Sequence, residues 1–335
     1  WYLGATYPDH FAGVAPCAGY PDIAGYGNVG ADAMHANAKH FASIKQAANA
    51  GRVLDLKRNL LQSGVYVLHG DADDVVPVDQ ARRMREELGK FHPDFCYYEY
   101  PGGSHWYSNE SVDWKPIFDF FKWHTIPAND EVKHLEFHTA SPAISAKNHW
   151  ATIEQQDKAY DFSSIVFDVE EKQIKGTTQN VATITFELHS LNLPADFNLQ
   201  IDGTELEVNT KEPLTLTKTA GKWAVIPRVD AKEKNPARYG GFKQAINNNV
   251  VFVYATGGNA AENEWYQNKA RFDAETFLYR GNGSIEVIAD RDFVPAKYAD
   301  RNVMIYGNAS NNKACAKLLK NSPIQVSKGE IKFGK

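Results

Sequence analysis

A chain of 335 residues is longer than one hydrophobic core usually serves, so two or three domains are expected. Its 43% hydrophobic and 23% charged residues are ordinary for a globular protein, and a net charge of −5 offers no basic surface for nucleic acid. No apolar run approaches the ~18–20 residues that span a bilayer, so neither nucleic acid nor membrane is expected as a partner.

Trp1-Tyr2-Leu3 opens the chain without an initiator Met, a basic n-region or a signal h-region, so the start reads as a cut. Trp1, Leu3, Tyr7 and Phe11 share one helical face, interrupted at Pro8-Asp9, and Phe11–Gly19 is a small-residue run suited to a buried strand. Residues 24–64 are rich in Ala and Asn and are expected to form short helices in a cap-like excursion. Val65–Leu68 is a short strand. It breaks into His69-Gly70-Asp71-Ala72-Asp73-Asp74, with Pro77 placed as the first residue of a helix that carries Val78, Ala81, Met84 and Leu88 on one face. Phe95–Tyr100 is the next strand. It ends in Pro101-Gly102-Gly103-Ser104-His105-Trp106, and Trp114, Ile117, Phe118, Phe121 and Trp123 form a closing helix.

That alternation predicts a parallel sheet covered by helices, but with only about three strands it is a partial one. From about 130 to 228 the pattern changes to period two, with strands at 132–137, 164–169, 181–188 and 199–204, as in an antiparallel β-sandwich. From about 235, strands at 250–254, 285–288 and 303–306 alternate with helices at 261–279 and 314–319, which predicts a small three-layer α/β domain. The expected class is therefore α/β, with a partial hydrolase-like sheet at 1–128, a β-sandwich-like domain at 129–234 and a small α/β domain at 235–335.

Cys17, Cys96 and Cys315 lie far apart without CxxC spacing and read as buried small hydrophobes rather than a disulfide or metal site. Asn109-Glu110-Ser111, Asn282-Gly283-Ser284 and Asn308-Ala309-Ser310 fit the glycosylation sequon, though an Asn-rich chain matches it often by chance. The compartment stays open, with an extracytoplasmic setting favoured. His134, His138 and His149 at strand-like spacing read as surface or sheet-packing histidines, and Thr256-Gly257-Gly258 as a plain turn rather than an anion loop. No metal and no cofactor are expected.

An acid after one strand and a histidine after the next have the order and the loops of the last two members of a Ser–Asp–His triad. Of the three acids, Asp71 follows the glycine and suits a turn cap, and Asp74 suits a cap on the following helix, which leaves Asp73 to orient His105. The same spacing also fits three solvated turn and cap residues and a structural histidine. Trp106, Tyr107 and Trp114 suit either a substrate pocket or helix packing. Ser63, Ser104, Ser108 and Ser145 lack the Gly-x-Ser-x-Gly context of a nucleophile, and Ser104 reads as a loop hydrogen-bonder.

His69-Gly70-Asp71-Ala72-Asp73-Asp74-Val75-Val76-Pro77, together with Pro101-Gly102-Gly103-Ser104-His105-Trp106, resembles the prolyl oligopeptidase-like branch of the α/β-hydrolases, which includes peptidases and carboxylesterases. The resemblance covers roughly residues 1–125. It implies that Asp73 is the triad acid and His105 the base. It also implies that the serine elbow and the oxyanion hole lie before Trp1, because in this family that elbow precedes a helix reading like Trp1–Phe11. The substrate would be a peptide or carboxylic ester cleaved through an acyl-enzyme, with Trp106 and Tyr107 in contact with it and the N-terminal remainder of the chain completing the site. The alternatives are a carbohydrate-linked carboxylesterase of the same fold, and a non-catalytic binding or assembly fragment. Residues 129–335 resemble C-terminal extensions of some bacterial peptidases of this group only loosely.

Overall fold

The computed structural model describes residues 1–22, 42–239, 242–246 and 249–334. Helices and several β-sheets are interleaved along the chain, which is of the mixed α/β class. It divides into two compact units, 1–239 and 240–335.

In the first unit, α1 (Tyr2–Thr6) leads into β1 (Gly13–Val14). Residues 23–41, part of the expected cap-like excursion, lie outside the described residues. Its remainder forms α2 (Ala42–Ala48), α3 (Val53–Leu56) and a 3-10 stretch at Lys57–Gln62. Then come β2 (Gly64–Gly70), α4 (Asp79–Leu88), β3 (Phe95–Tyr100) and α5 (Lys115–Phe121). The three strands are parallel in the order β1-β2-β3, with Val14 opposite Val65 and Val65 opposite Phe95.

Period two sorts the side chains of β2 to opposite faces. Val65 and Val67 pack with Leu60, Ala81, Met84 and Leu88, while Tyr66 and Leu68 pack with Ile117 and the ring of Trp114. Each such aliphatic side chain contributes about 1.5–3 kcal/mol when taken out of water. The strand expected at 11–19 is confined to Gly13–Val14 and one bridge between Cys17 and Leu68. Pro16 has no N–H to donate, and its carbonyl only accepts from Leu68 N. Cys17 and Cys96 are exposed, against expectation, since Cys17 follows an edge strand and Cys96 lies on one; Cys315 is buried.

The second half of the unit holds β4 (His134–Thr139), β5 (Lys147–Asn148), β6 (Ala151–Gln155), β7 (Ser163–Glu170), β8 (Gln173–Gln179), β9 (Thr183–Phe186), β10 (Phe197–Ile201), β11 (Thr204–Val208), β12 (Leu214–Thr219) and β13 (Lys222–Ile226). They form two five-stranded sheets, β11-β10-β8-β7-β4 and β13-β12-β9-β6-β5, around one shared core. Trp150, Phe167 and Phe186 meet at its centre, with the two phenylalanine rings edge-to-face at 5.0 Å. Pairing is not wholly antiparallel as expected: β10 runs parallel to β8. On the other side of β8, Gly176 lets β7 approach, since a Cβ at that position would lie 2.1 Å from the Val166 carbonyl oxygen.

The boundary expected near 128 separates two kinds of sheet but not two compact units. Asn59, 1% exposed, donates to the carbonyls of Ala5 (2.7 Å) and His138 (2.8 Å) and accepts from His138 N (2.7 Å). Arg58 makes a two-pronged ion pair with Glu136, and Gln62 donates to His134 O. A buried side-chain amide stitched to both layers ties them together, because breaking it leaves polar groups without partners. At the other end the first unit runs to Tyr239 rather than 234, because the buried Tyr239 hydroxyl pairs with Gln156.

The second unit has a parallel sheet in the order β15-β14-β16, built from β14 (Val250–Tyr254), β15 (Glu286–Ala289) and β16 (Asn302–Tyr306), with α6 (Ala260–Gly281) and α7 (Lys313–Leu318), and then a hairpin of β17 (Ile324–Ser327) and β18 (Glu330–Phe333). Apolar clusters lie on both faces, around Phe252 and Ala270 on one and Val253 and Phe293 on the other. Asn259 and Glu262 form a capping box at the start of α6. In the Thr256-Gly257-Gly258 turn, Gly257 N donates to Asn311 O and Gly258 N to Asn263 Oδ1, so those two amides are already engaged.

Candidate active site

The loops after β2 and β3 leave the carboxyl edge of neighbouring parallel strands, where open α/β sheets present functional groups. Glycine lets them touch. A Cβ on Gly70 would lie 2.2 Å from the Gly103 carbonyl oxygen, and Gly102 turns with φ +68°. Backbone bonds then lace the loops together: Asp71 N donates to Tyr100 O, and Ala72 N to Gly103 O. The Asp71 carboxylate accepts from Gly102 N at 2.7 Å and so caps the turn of the histidine loop.

Asp73 faces His105. Its Oδ2 lies 2.9 Å from His105 Nδ1, and its Oδ1 accepts from the amides of Val75 (2.9 Å) and Val76 (2.8 Å). An ionised carboxylate only accepts, so His105 Nδ1 carries a proton, and the neutral ring in this tautomer has its lone pair on Nε2. Exposure divides the two side chains: 0% for Asp73 and 19% for His105, which leaves the carboxylate dry and the imidazole open to solvent. Burial by itself would raise the Asp73 pKa, but the Val76 amide, His105 and the Val75 amide outweigh it and hold the carboxyl below its ordinary value.

Asp74 is exposed, and it does not cap the helix as expected. Val75–Pro77 intervene, and α4 begins at Asp79 behind Val78 with no side-chain cap. Pro77 accordingly sits ahead of the helix rather than as its first residue.

Trp106 is 70% exposed, with its ring edge-on to the imidazole of His105 at 5.0 Å. Tyr107 is half-buried and stacks on Tyr100 at 4.5 Å. Burial pushes the Tyr107 phenol up to about 12, and the nearby Cys17, Tyr100 and Asp73 add to the effect. Trp114 stacks on Tyr98 and donates to the Tyr66 hydroxyl, so its ring belongs to the packing of α5.

Among the described residues no serine or cysteine side chain is hydrogen-bonded to His105. Ser104 donates to Trp106 O, Ser63 to Phe11 O, and Ser145 to Thr6 O. Nor does any group of three or more His, Cys, Asp or Glu side chains converge as metal ligands among the described residues. His134 instead pairs with Asp168 at 2.6 Å. A cavity of about 380 Å³ in the second unit, bordered by Phe277, Glu286 and Arg301, includes neither Asp73 nor His105. No described helix is long and apolar enough to cross a membrane.

One group at the site was not anticipated. His69, 1% exposed at the end of β2, has its Nε2 2.8 Å from Val76 O and 3.2 Å from Asp73 Oδ2. The signal was a polar ring at an alternate position on a strand face otherwise occupied by Val65 and Val67. Only the return of the acid loop over that ring gives it a partner. No protein-family model matches the chain, and no curated protein matches it.

Proposed function

We propose that the chain is part of a serine hydrolase of the prolyl oligopeptidase-like α/β-hydrolase type, with Asp73 as the orienting acid and His105 as the general base. The observation that carries this reading is the bond from His105 Nδ1 to a carboxylate that is fully buried, below its ordinary pKa, and clamped by two backbone amides. That arrangement sets the tautomer that leaves Nε2 free, and it stabilises the imidazolium formed when the base takes a proton. The nucleophile is a serine carried before Trp1 in the intact protein. What supports that position is the Trp1 indole donating to Gly19 O, in the loop that follows β1 beside the end of β2.

In this reading the serine attacks the carbonyl of a peptide or carboxylic ester. His105 Nε2 accepts the serine proton and passes it to the leaving group, and water then hydrolyses the acyl-enzyme with His105 again as base. Trp106, exposed beside the base, and Tyr107 contact the substrate. The test is turnover of chromogenic ester and peptidyl substrates by the intact protein and by its His105→Ala variant. Abolished turnover is expected; unchanged turnover overturns the assignment.

A further inference from the structure

Resting on that reading, we propose that His69 is a positioning residue for the acid–base pair: it fixes the loop that aims Asp73 at His105. The Val76 carbonyl can only accept, so His69 Nε2 at 2.8 Å carries a proton and donates to it. The same N–H lies 3.2 Å from Asp73 Oδ2, the oxygen that receives His105 Nδ1. Val76 is thus held on both sides, its carbonyl by His69 and its amide by Asp73 Oδ1. Through that residue the strand end braces the carboxylate. The ring is 1% exposed and never reaches a substrate, and its contribution is geometric.

Residues 71–76 include no regular element. The other bonds that fix the loop gather at its start, where Asp71 N reaches Tyr100 O at 3.1 Å, Ala72 N reaches Gly103 O at 2.9 Å, Asp73 N reaches Gly70 O at 3.3 Å and the Asp71 carboxylate accepts from Gly102 N, so the far end at Val76 leans on His69. Removing the His69 donor leaves the buried Val76 carbonyl unpaired and loosens the loop whose Val75 and Val76 amides hold the carboxylate toward Nδ1. An effect on the chemical step of about 10- to 100-fold follows, with substrate binding unchanged.

The experiment uses the intact protein. His69→Phe is expected to lower kcat by that factor with KM within twofold, and to shift or broaden the downfield proton signal of His105 Nδ1–H, identified by its loss in His105→Ala. His69→Gln, which keeps a donor near the Nε2 position, is expected to recover most of both. Unchanged kcat and an unchanged downfield signal in His69→Phe overturn the proposal. If His69→Phe does not fold, ¹⁵N imidazole spectra of the wild type decide: a protonated His69 Nε2 is expected, and a ring protonated at Nδ1 instead overturns it. If His105→Ala hydrolyses substrate as well as wild type, the hydrolase reading fails separately, and the tautomer and downfield signal still judge what His69 does to Asp73.

Discussion

Asp73→Asn keeps the shape of the side chain and replaces one acceptor oxygen by a donor, so it tests the acid without emptying its site. In one orientation the amide oxygen still accepts from Val75 N and Val76 N, and the NH₂ then faces His105 Nδ1 at 2.9 Å and His69 Nε2 at 3.2 Å. Donor would oppose donor at both contacts. In the other orientation the NH₂ faces two backbone amides, which is no better. The first orientation is relieved only if His105 moves its proton to Nε2, and that leaves no lone pair toward the substrate. For an acid that fixes the tautomer of a base, the loss in kcat is about 10⁴, or roughly 5 kcal/mol at 1.36 kcal/mol per decade. The assay is steady-state hydrolysis of a chromogenic ester by intact protein, with folding checked by circular dichroism. A folded Asp73→Asn variant within threefold of wild type refutes the role of Asp73 and the tautomer argument with it.

Gly70→Ala drives a Cβ to within 2.2 Å of the Gly103 carbonyl oxygen, so the two loops must part; a destabilisation of roughly 1–3 kcal/mol in urea unfolding is expected, with loss of turnover, and an unaltered urea midpoint contradicts the close approach. Asn59→Ala strips the joint between the layers of two donated bonds and one accepted bond and leaves groups of Ala5 and His138 unpaired. It should cost about 2–4 kcal/mol and shift the unfolding of both layers together, and separate transitions for the two layers count against a single unit. His92, His138 and His149 are held below the ordinary imidazole value, chiefly by burial. The unfolded chain then binds protons that the folded unit excludes, so stability is present above about pH 6.5 and is lost as pH falls from there toward the folded values. Urea midpoints measured from pH 8 to pH 5 should fall, and a flat profile contradicts the neutral buried state.

Local chemistry made several elements legible from residues alone. The run Val65–Leu68, bounded by glycine, forms a buried strand because its alternate side chains find apolar layers on both faces. Helix α6 begins where Asn259 and Glu262 cap it, since a capping box is built within four consecutive residues. The loops after β2 and β3 were marked by Gly70, Gly102 and Gly103, whose backbone freedom does not depend on the rest of the fold.

Other features depended on groups far apart in the chain. Asp71, Asp73 and Asp74 are near neighbours of one residue type, and only the path of the loop decides that the first caps a turn, the second is buried against His105, and the third stays in solvent. His69 carries no signal of its role until Val76 returns over it. The parallel pairing of β10 with β8 joins strands separated by another strand and a 3-10 turn, which period-two patterning cannot register. The union of the two layers into one unit rests on Arg58 and Asn59 reaching residues 78 and 79 positions away. Alternation and capping are properties of a few adjacent residues, whereas the partner of a buried polar group is chosen by whichever distant segment comes to cover it.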